Sequence, residues 1–269
     1  MNSVIKVLVT AALAGIAFTT PQPVAQEITF SATYADSNES QTIKFNQPTR
    51  FADLLSQTVF SKPASAQTAL YWPGSRLSSN KLQRDLQQQR AQLVAELNQL
   101  ASYWSKRGRV DIERSVNYLA RELEQMRLQA GYQFAIEPDR VRVNLQENPL
   151  LGPAEGTEYE LLIPSHIAGN SRYGLPAEDP HADTQWQWQI ALNGNIKKHP
   201  TGLSNRHNNA LCFQHNEALP LTARESELCE PSDEFTIGKT FFGLSEQVIP
   251  ETWQSVNRRI AEIVKHSIK

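Results

Sequence analysis

The sequence predicts an α+β fold in which short strands at both ends of the chain flank a helical hairpin. Three observations carry that prediction. Apolar residues alternate with polar or small ones at 28–34 and again at 186–192, the period of a strand with one buried face. The stretch 80–130 has no proline and a single glycine, and its apolar residues recur three and four apart, the period of a helix. The segment 250–269 carries one apolar stripe among charged residues.

At the start of the chain, Lys6 precedes an apolar run, Val7 to Phe18, and then a stretch of small and polar residues ending at Ala25. This is the three-part pattern of a cleavable export leader, expected over residues 1–25. The run is 12 residues, short of the ~20 that a spanning helix needs. No cysteine comes directly after it, so no lipid anchor is expected. Cleavage would remove Lys6 and no acid, leaving 25 basic against 28 acidic residues, a net charge of −3. That balance speaks against a nucleic-acid partner. No later apolar run has the length of a membrane span, and roughly 244 remaining residues suffice for one large or two small domains.

Ile28, Phe30, Ala32 and Tyr34 form the inner face of a first strand, and after a polar turn Ile43 and Phe45 resume the alternation as a hairpin. Thr49 is placed to cap a short helix whose inner face is Phe51, Leu54 and Leu55. Ala69 to Trp72 predicts a third strand, stopped by Pro73-Gly74. Leu82, Leu86, Leu93, Leu97, Leu100 and Trp104 form one helical stripe. Ile112, Val116, Leu119, Leu123, Met126 and Ala130 form a second, with Gly108 between the two and Gly131 at the end. The expected arms are antiparallel and roughly 35 Å long. Val141, Val143 and Leu145 predict a returning strand, with Arg140, Arg142 and Asn144 on its other face.

Glu147 to Gly156, rich in Pro and Gly, is the expected boundary. Beyond it Tyr159, Leu161 and Ile163 open a second strand-rich half. Trp186, Trp188, Ile190 and Leu192 lead into Asn193-Gly194, a two-residue hairpin signal, and Ile196 resumes. Strands at Phe235–Ile237 and Thr240–Leu244 close this half. From Pro250 a terminal helix presents Trp253, Val256, Ile260, Ile263 and Val264 on one face; such a face packs on a core or lies on a membrane surface.

Cys212 and Cys229 are the two cysteines. In an oxidising compartment a lone pair predicts a disulfide; free thiols or a metal site are the alternatives. The six histidines, His166, His181, His199, His207, His215 and His266, fall in the second half, without a metal-binding spacing. Gly238-Lys239-Thr240 has Asp233 where a phosphate loop needs glycine, and no serine has a nucleophile-elbow setting. No catalytic constellation, metal or cofactor is therefore expected. Trp186 and Trp188 suit a core before a sugar platform. Arg140 and Arg142 suit ion pairing, or a pocket for an anionic or polar ligand near the joint between halves.

Tyr71-Trp72-Pro73-Gly74-Ser75-Arg76-Leu77, the helical insertion, Glu137-Pro138-Asp139-Arg140-Val141-Arg142-Val143 and the terminal Ile249-Pro250 to Val264 segment follow one another in an order that resembles the GfcC-like family of periplasmic capsule and O-antigen-capsule biosynthesis proteins. The resemblance spans nearly the whole chain after the leader. It implies two tandem β-grasp domains: 26–148 with a hairpin insert at about 79–131, and 149–248. A C-terminal amphipathic helix, 249–269, would pack on the second domain. It also implies an arginine central to a pocket near the domain joint, for which Arg142 or Arg140 is the carry-over, with Trp72 beside it. The implied role is non-enzymatic: a periplasmic protein assisting assembly or export of a surface polysaccharide, with envelope export proteins and the glycan as partners. The alternative is a secreted metal-dependent hydrolase using the histidine-rich half.

Overall fold

Alternation along the first strand decides how the amino-terminal half is built. The computed structural model describes residues 26–34, 39–165, 171–176, 179, 186–200 and 238–268; the expected leader, both cysteines and Phe235–Ile237 lie outside them. Strand β1 (Ile28–Tyr34) buries Ile28, Phe30, Ala32 and Tyr34. It pairs antiparallel with β2 (Ser40–Phe45) and parallel with β7 (Glu158–Ile163). Strand β4 (Arg76–Ser79) lies antiparallel on the other side of β7, and β5 (Gln133–Phe134) closes the edge, giving the order β2-β1-β7-β4-β5. Helix α1 (Phe51–Thr58) lays Phe51, Leu54 and Leu55 on this sheet, where they pack with Leu77, Tyr159, Leu161 and Ile163. Tyr159, Leu161 and Ile163, expected to open the second half, thus stand at the centre of the first sheet.

Local signals outweigh alternation at several other points. Thr49 does not cap α1: it lies in β3 (Thr49–Arg50), its hydroxyl donates to the Gln47 carbonyl, and Arg50 is the N-cap. Within the expected linker, β6 (Leu150–Leu151) pairs with β3, and Asn148 Oδ1 accepts the Ala52 N–H. Ala69–Trp72 is not a strand. Helix α2 (Ala64–Thr68) precedes it, Trp72–Gly74 is a 3-10 turn, and the strand starts beyond the proline, at Arg76. Arg140 and Arg142 do not lie on a strand either. Pro138 at the first position, with Asp139 behind it, starts helix α5 (Pro138–Val143). Val141 is buried there, whereas Val143 and Leu145 are 83% and 71% exposed.

The hairpin is inserted between β4 and β5. Ser79 caps helix α3 (Asn80–Ser105), its Oγ accepting from Leu82 N. Gly108, at φ 72, makes the turn into α4 (Val110–Gln125). The arms are unequal, 26 and 16 residues, about 39 and 24 Å. Helix α4 stops at Gln125, short of the expected Gly131. Beyond it, Met126, Leu128 and Ala130 are buried in an extended stretch. Side chains of α3 satisfy that stretch: Gln83 donates to the Leu128 carbonyl and accepts the Ala130 N–H, and Arg90 donates to Met126 O.

The second sheet has the order β10-β9-β11-β8, from β8 (Ser171–Gly174), β9 (Trp186–Ala191), β10 (Ile196–Pro200) and β11 (Gly238–Phe242). Strands β8 and β11 are parallel and the other pairs antiparallel. The run β8-β11-β9-β10 thus repeats the directions of β1-β7-β4-β5. The β9–β10 turn encloses three residues, Leu192 to Gly194, not two, inside a bond from Ala191 N–H to Asn195 O, and Gly194 sits at φ 82, the left-handed position that such turns require. Trp188 is in the core; the Trp186 ring is met by the Lys198 ammonium at 3.6 Å.

The terminal helix α6 (Val256–Val264) buries Val256, Ile260, Ala261, Ile263 and Val264 against α3, β9 and β11. Its apolar face is spent on this core. Buried Asn257 fixes the preceding loop, accepting Leu244 N–H and donating to Leu244 O. No helix among the described residues is long and apolar enough to cross a membrane.

Candidate functional site

Among the described residues, two places gather polar side chains that the core does not use: the joint between the sheets, and the outer face of the hairpin.

At the joint, the extended stretch after α4 runs beside the end of α6. Gln129 N–H donates to His266 O, Ile268 N–H to Arg127 O, and Leu128 bridges to Ser267. Two cations enter from opposite sheets. Lys239, on β11, donates to Lys265 O (2.8 Å), Ser267 O (2.6 Å) and, at 3.4 Å, Val264 O. Val264 O, which also accepts the Ser267 N–H, and Lys265 O lie at the negative end of the α6 dipole, where a cation is favoured, and Ser267 O lies just beyond it. Arg76, on β4, reaches His266 O and Ser267 O at 3.4–3.5 Å, and its guanidinium stands 5.5 Å from the Phe134 ring centroid. Burial lowers the Arg76 pKa to about 10, and burial together with the Arg76 charge pushes Lys239 well below its ordinary value. His266 sits between them. Its Nδ1 accepts the Gly131 N–H, which places the proton of the neutral ring on Nε2. Burial first, and then Lys265, Arg76 and Lys239, lower its pKa to about 3.

The residues expected at the joint are elsewhere. Arg140 is exposed and paired with Glu137 and Glu147. Arg142 lies over the Phe60 ring at 4.2 Å, and Trp72 packs on the same ring at 6.3 Å between centroids. The fold therefore brings Arg142 and Trp72 together on Phe60 and leaves Arg140 outside that contact. The arginine that does stand at the joint is Arg76, inside the very segment that carried the resemblance. Neither Arg76 nor Lys239 has a sequence signal of its own, since their burial needs residues near 130 and 266 folded over them. Of the histidines, His166, His181, His207 and His215, with the side chain of His199, lie outside the described residues. Among the described residues no group of three His, Cys, Asp or Glu side chains could hold a metal ion.

The hairpin turns its inner stripe, including Leu93, Leu97, Leu100, Ile112 and Leu119, into a core shared with the second sheet and α6. Each such leucine or isoleucine contributes roughly 2 kcal/mol. Polar contacts tie α4 to the neighbouring segment: Glu122 accepts the Gly174 N–H at 3.0 Å and Ser115 donates to Asp179. Burial raises the Glu122 pKa, the Gly174 bond opposing it. Between the arms on the outer face lies a groove of about 520 Å³. Helix α3 contributes Val94 and Asn98. Helix α4 contributes the row Glu113, Arg114, Asn117, Arg121 and Glu124, with Val110 and Ala120 beside it.

A family model described as capsule biosynthesis GfcC, N-terminal, matches residues 29–165. The matched stretch begins in β1, ends just past β7, and includes the hairpin. No curated protein matches the chain.

Proposed function

The chain belongs to the GfcC capsule-biosynthesis family, and from that premise we propose that it assists the assembly or export of a surface polysaccharide without catalysing a reaction. It does so by holding export proteins of the envelope, and the glycan, on a braced frame. The observation that carries this reading is the hairpin: its inner face is sealed into the second-half core while its outer face keeps an open groove lined by charged, amide and small apolar side chains.

The repeated run of strand directions supports two tandem β-grasp domains. We place their division after Ile163, because β7 belongs to the first sheet and the family match ends at residue 165. In this reading the hairpin is an insert of the first domain and braces the second. The apolar run at 7–18 supports export to the periplasm, where Cys212 and Cys229 form a disulfide. Arg142 and Trp72, meeting on Phe60, form a second contact surface for the same partners, with Arg140 at its margin.

The test is a deletion strain complemented in trans. Loss of surface polysaccharide on deletion, restored by the wild-type chain, is the expected result. Unaltered surface polysaccharide in the deletion strain would sink the reading.

A further inference from the structure

We propose that the outer groove of the hairpin binds a stretch of acidic polysaccharide, held by Arg114 and Arg121. This rests on the capsule role proposed above and names the ligand class of its groove. The two arginines are seven residues apart on α4, about 10 Å along the axis and on one face. Both are exposed, and neither has an ion-pair partner among the described residues; Arg121 donates its Nε–H to the Asn117 carbonyl at 3.4 Å. A guanidinium is a planar fork that takes a carboxylate through two hydrogen bonds, and it stays charged at any physiological pH. Two such forks on one row fit two acidic sugars of one extended chain.

The rest of the lining suits the same occupant. Asn98 and Asn117 offer both donors and acceptors from the two walls, which sugar hydroxyls can satisfy. Glu113 and Glu124 also line the groove. They stand at the outer ends of the α4 row, with the arginines between them, and can accept from hydroxyls but repel carboxylates there. The apolar residues of the lining are Val94, Val110 and Ala120, none of them large, and the stems of the longer side chains add further apolar surface. A docked protein helix would bring large apolar anchors, and the groove has no large apolar side chain of its own to interlock with them, whereas sugar rings can lie on a surface of mixed polarity.

Calorimetric titration of the purified full chain with a short oligogalacturonate tests the proposal, with a dextran oligomer of matched length as the neutral control. The wild type should bind the acidic oligomer and not the neutral one, and added salt should weaken binding. The double variant Arg114→Ala/Arg121→Ala should lose roughly tenfold or more in affinity, while Arg114→Lys/Arg121→Lys retains part of it. Asn117→Asp, which adds a negative charge between the arginines, should weaken binding on its own, and decides the matter if the double variant folds poorly. Equal binding by wild type and variants, or no binding of oligogalacturonate by the wild type, overturns the proposal. So does an envelope protein that needs Arg114 and Arg121 while the sugar does not bind. Complementation separates the two readings: full recovery of surface polysaccharide by the double variant sinks the groove alone, whereas a deletion without effect sinks the capsule role.

Discussion

The His266 ring accepts a backbone N–H through Nδ1 and lies among Lys265, Arg76 and Lys239. A proton on that nitrogen would break the bond and add a fourth positive charge. The folded-state pKa, about 3, is therefore below the unfolded value near 6.5. A depressed pKa contributes stability that is present above the unfolded pKa and is lost as pH falls toward the folded one. Urea midpoints should accordingly drop as pH is lowered from about 6.5 toward 3, with close to one proton taken up on unfolding. His266→Gln should flatten that slope; an unchanged slope would mean the ring is already charged when folded. Glu122, with its raised pKa, acts in the opposite sense at the acid end, so the histidine slope is cleanest above about pH 5. Lys239 poses a related question of satisfaction. Replacing it with methionine keeps most of the packing but strips a charged donor from Lys265 O and Ser267 O. A loss of about 2 kcal/mol is expected, measured by chemical denaturation; a neutral outcome would show water reaching those carbonyls.

At the scale of elements, two glycines separate backbone strain from crowding. Gly108 has φ 72, and a Cβ added to it would meet nothing within 4 Å, whereas Gly174 has φ 96 and a Cβ there would overlap the Phe242 carbonyl. Gly108→Ala should therefore cost only the left-handed penalty, about 1 kcal/mol. Gly174→Ala should cost clearly more, because the paired strand must also shift and the N–H held by Glu122 moves with it. Equal losses in thermal denaturation would contradict this. The same elements show how far periodicity reaches. Strand β1, the hairpin arms and the apolar face of α6 were legible because each repeats one period over several turns or pleats. The expected helix from Pro250 through 269 is instead a 3-10 turn, Glu251–Trp253, and then α6, since Ser267 leaves the helix to bridge with Leu128. The end of α4 was not legible, since Met126 and Ala130 continue the helical spacing while Met126, Leu128 and Ala130 equally fit a strand. Pairing with the end of α6, through the single bridge of Leu128 to Ser267, chose the extended form. Val141, Val143 and Leu145 alternate, yet Pro138 and Asp139 start a helix there. Tyr159 to Ile163 was legible as a strand; its place beside β1 was not, because parallel pairing leaves no local turn signal. The joint was illegible for the same reason, as Arg76, Lys239 and His266 meet only after both sheets are in place.

On the scale of the molecule, the buried apolar side chains among the described residues fall into two clusters. One lies under the first sheet, around Phe30, Phe51 and Leu161; the other runs continuously through the hairpin, the second sheet and α6. The hairpin belongs to the first half by connection and to the second half by packing. Removing side-chain volume from it should therefore loosen the half to which it is not directly joined. Leu97 is fully buried in the second cluster. Leu97→Ala should cost about 3 kcal/mol, and native-state hydrogen exchange should locate the damage. Amides of β9 and α6 should exchange faster, and those of β1 and β7 should keep their protection. Uniform acceleration across both sheets would mean that the clasp of Arg76 and Lys239 on the end of α6 makes one cooperative unit. The opposite pattern, with loss confined to β1 and β7, would refute the brace. The distinction bears on function, because a groove on an arm that is rigid against the second half presents Arg114 and Arg121 at a fixed separation. A loosened arm would surrender that spacing before the protein unfolded, so Leu97→Ala should also weaken oligogalacturonate binding at temperatures where the first sheet is intact.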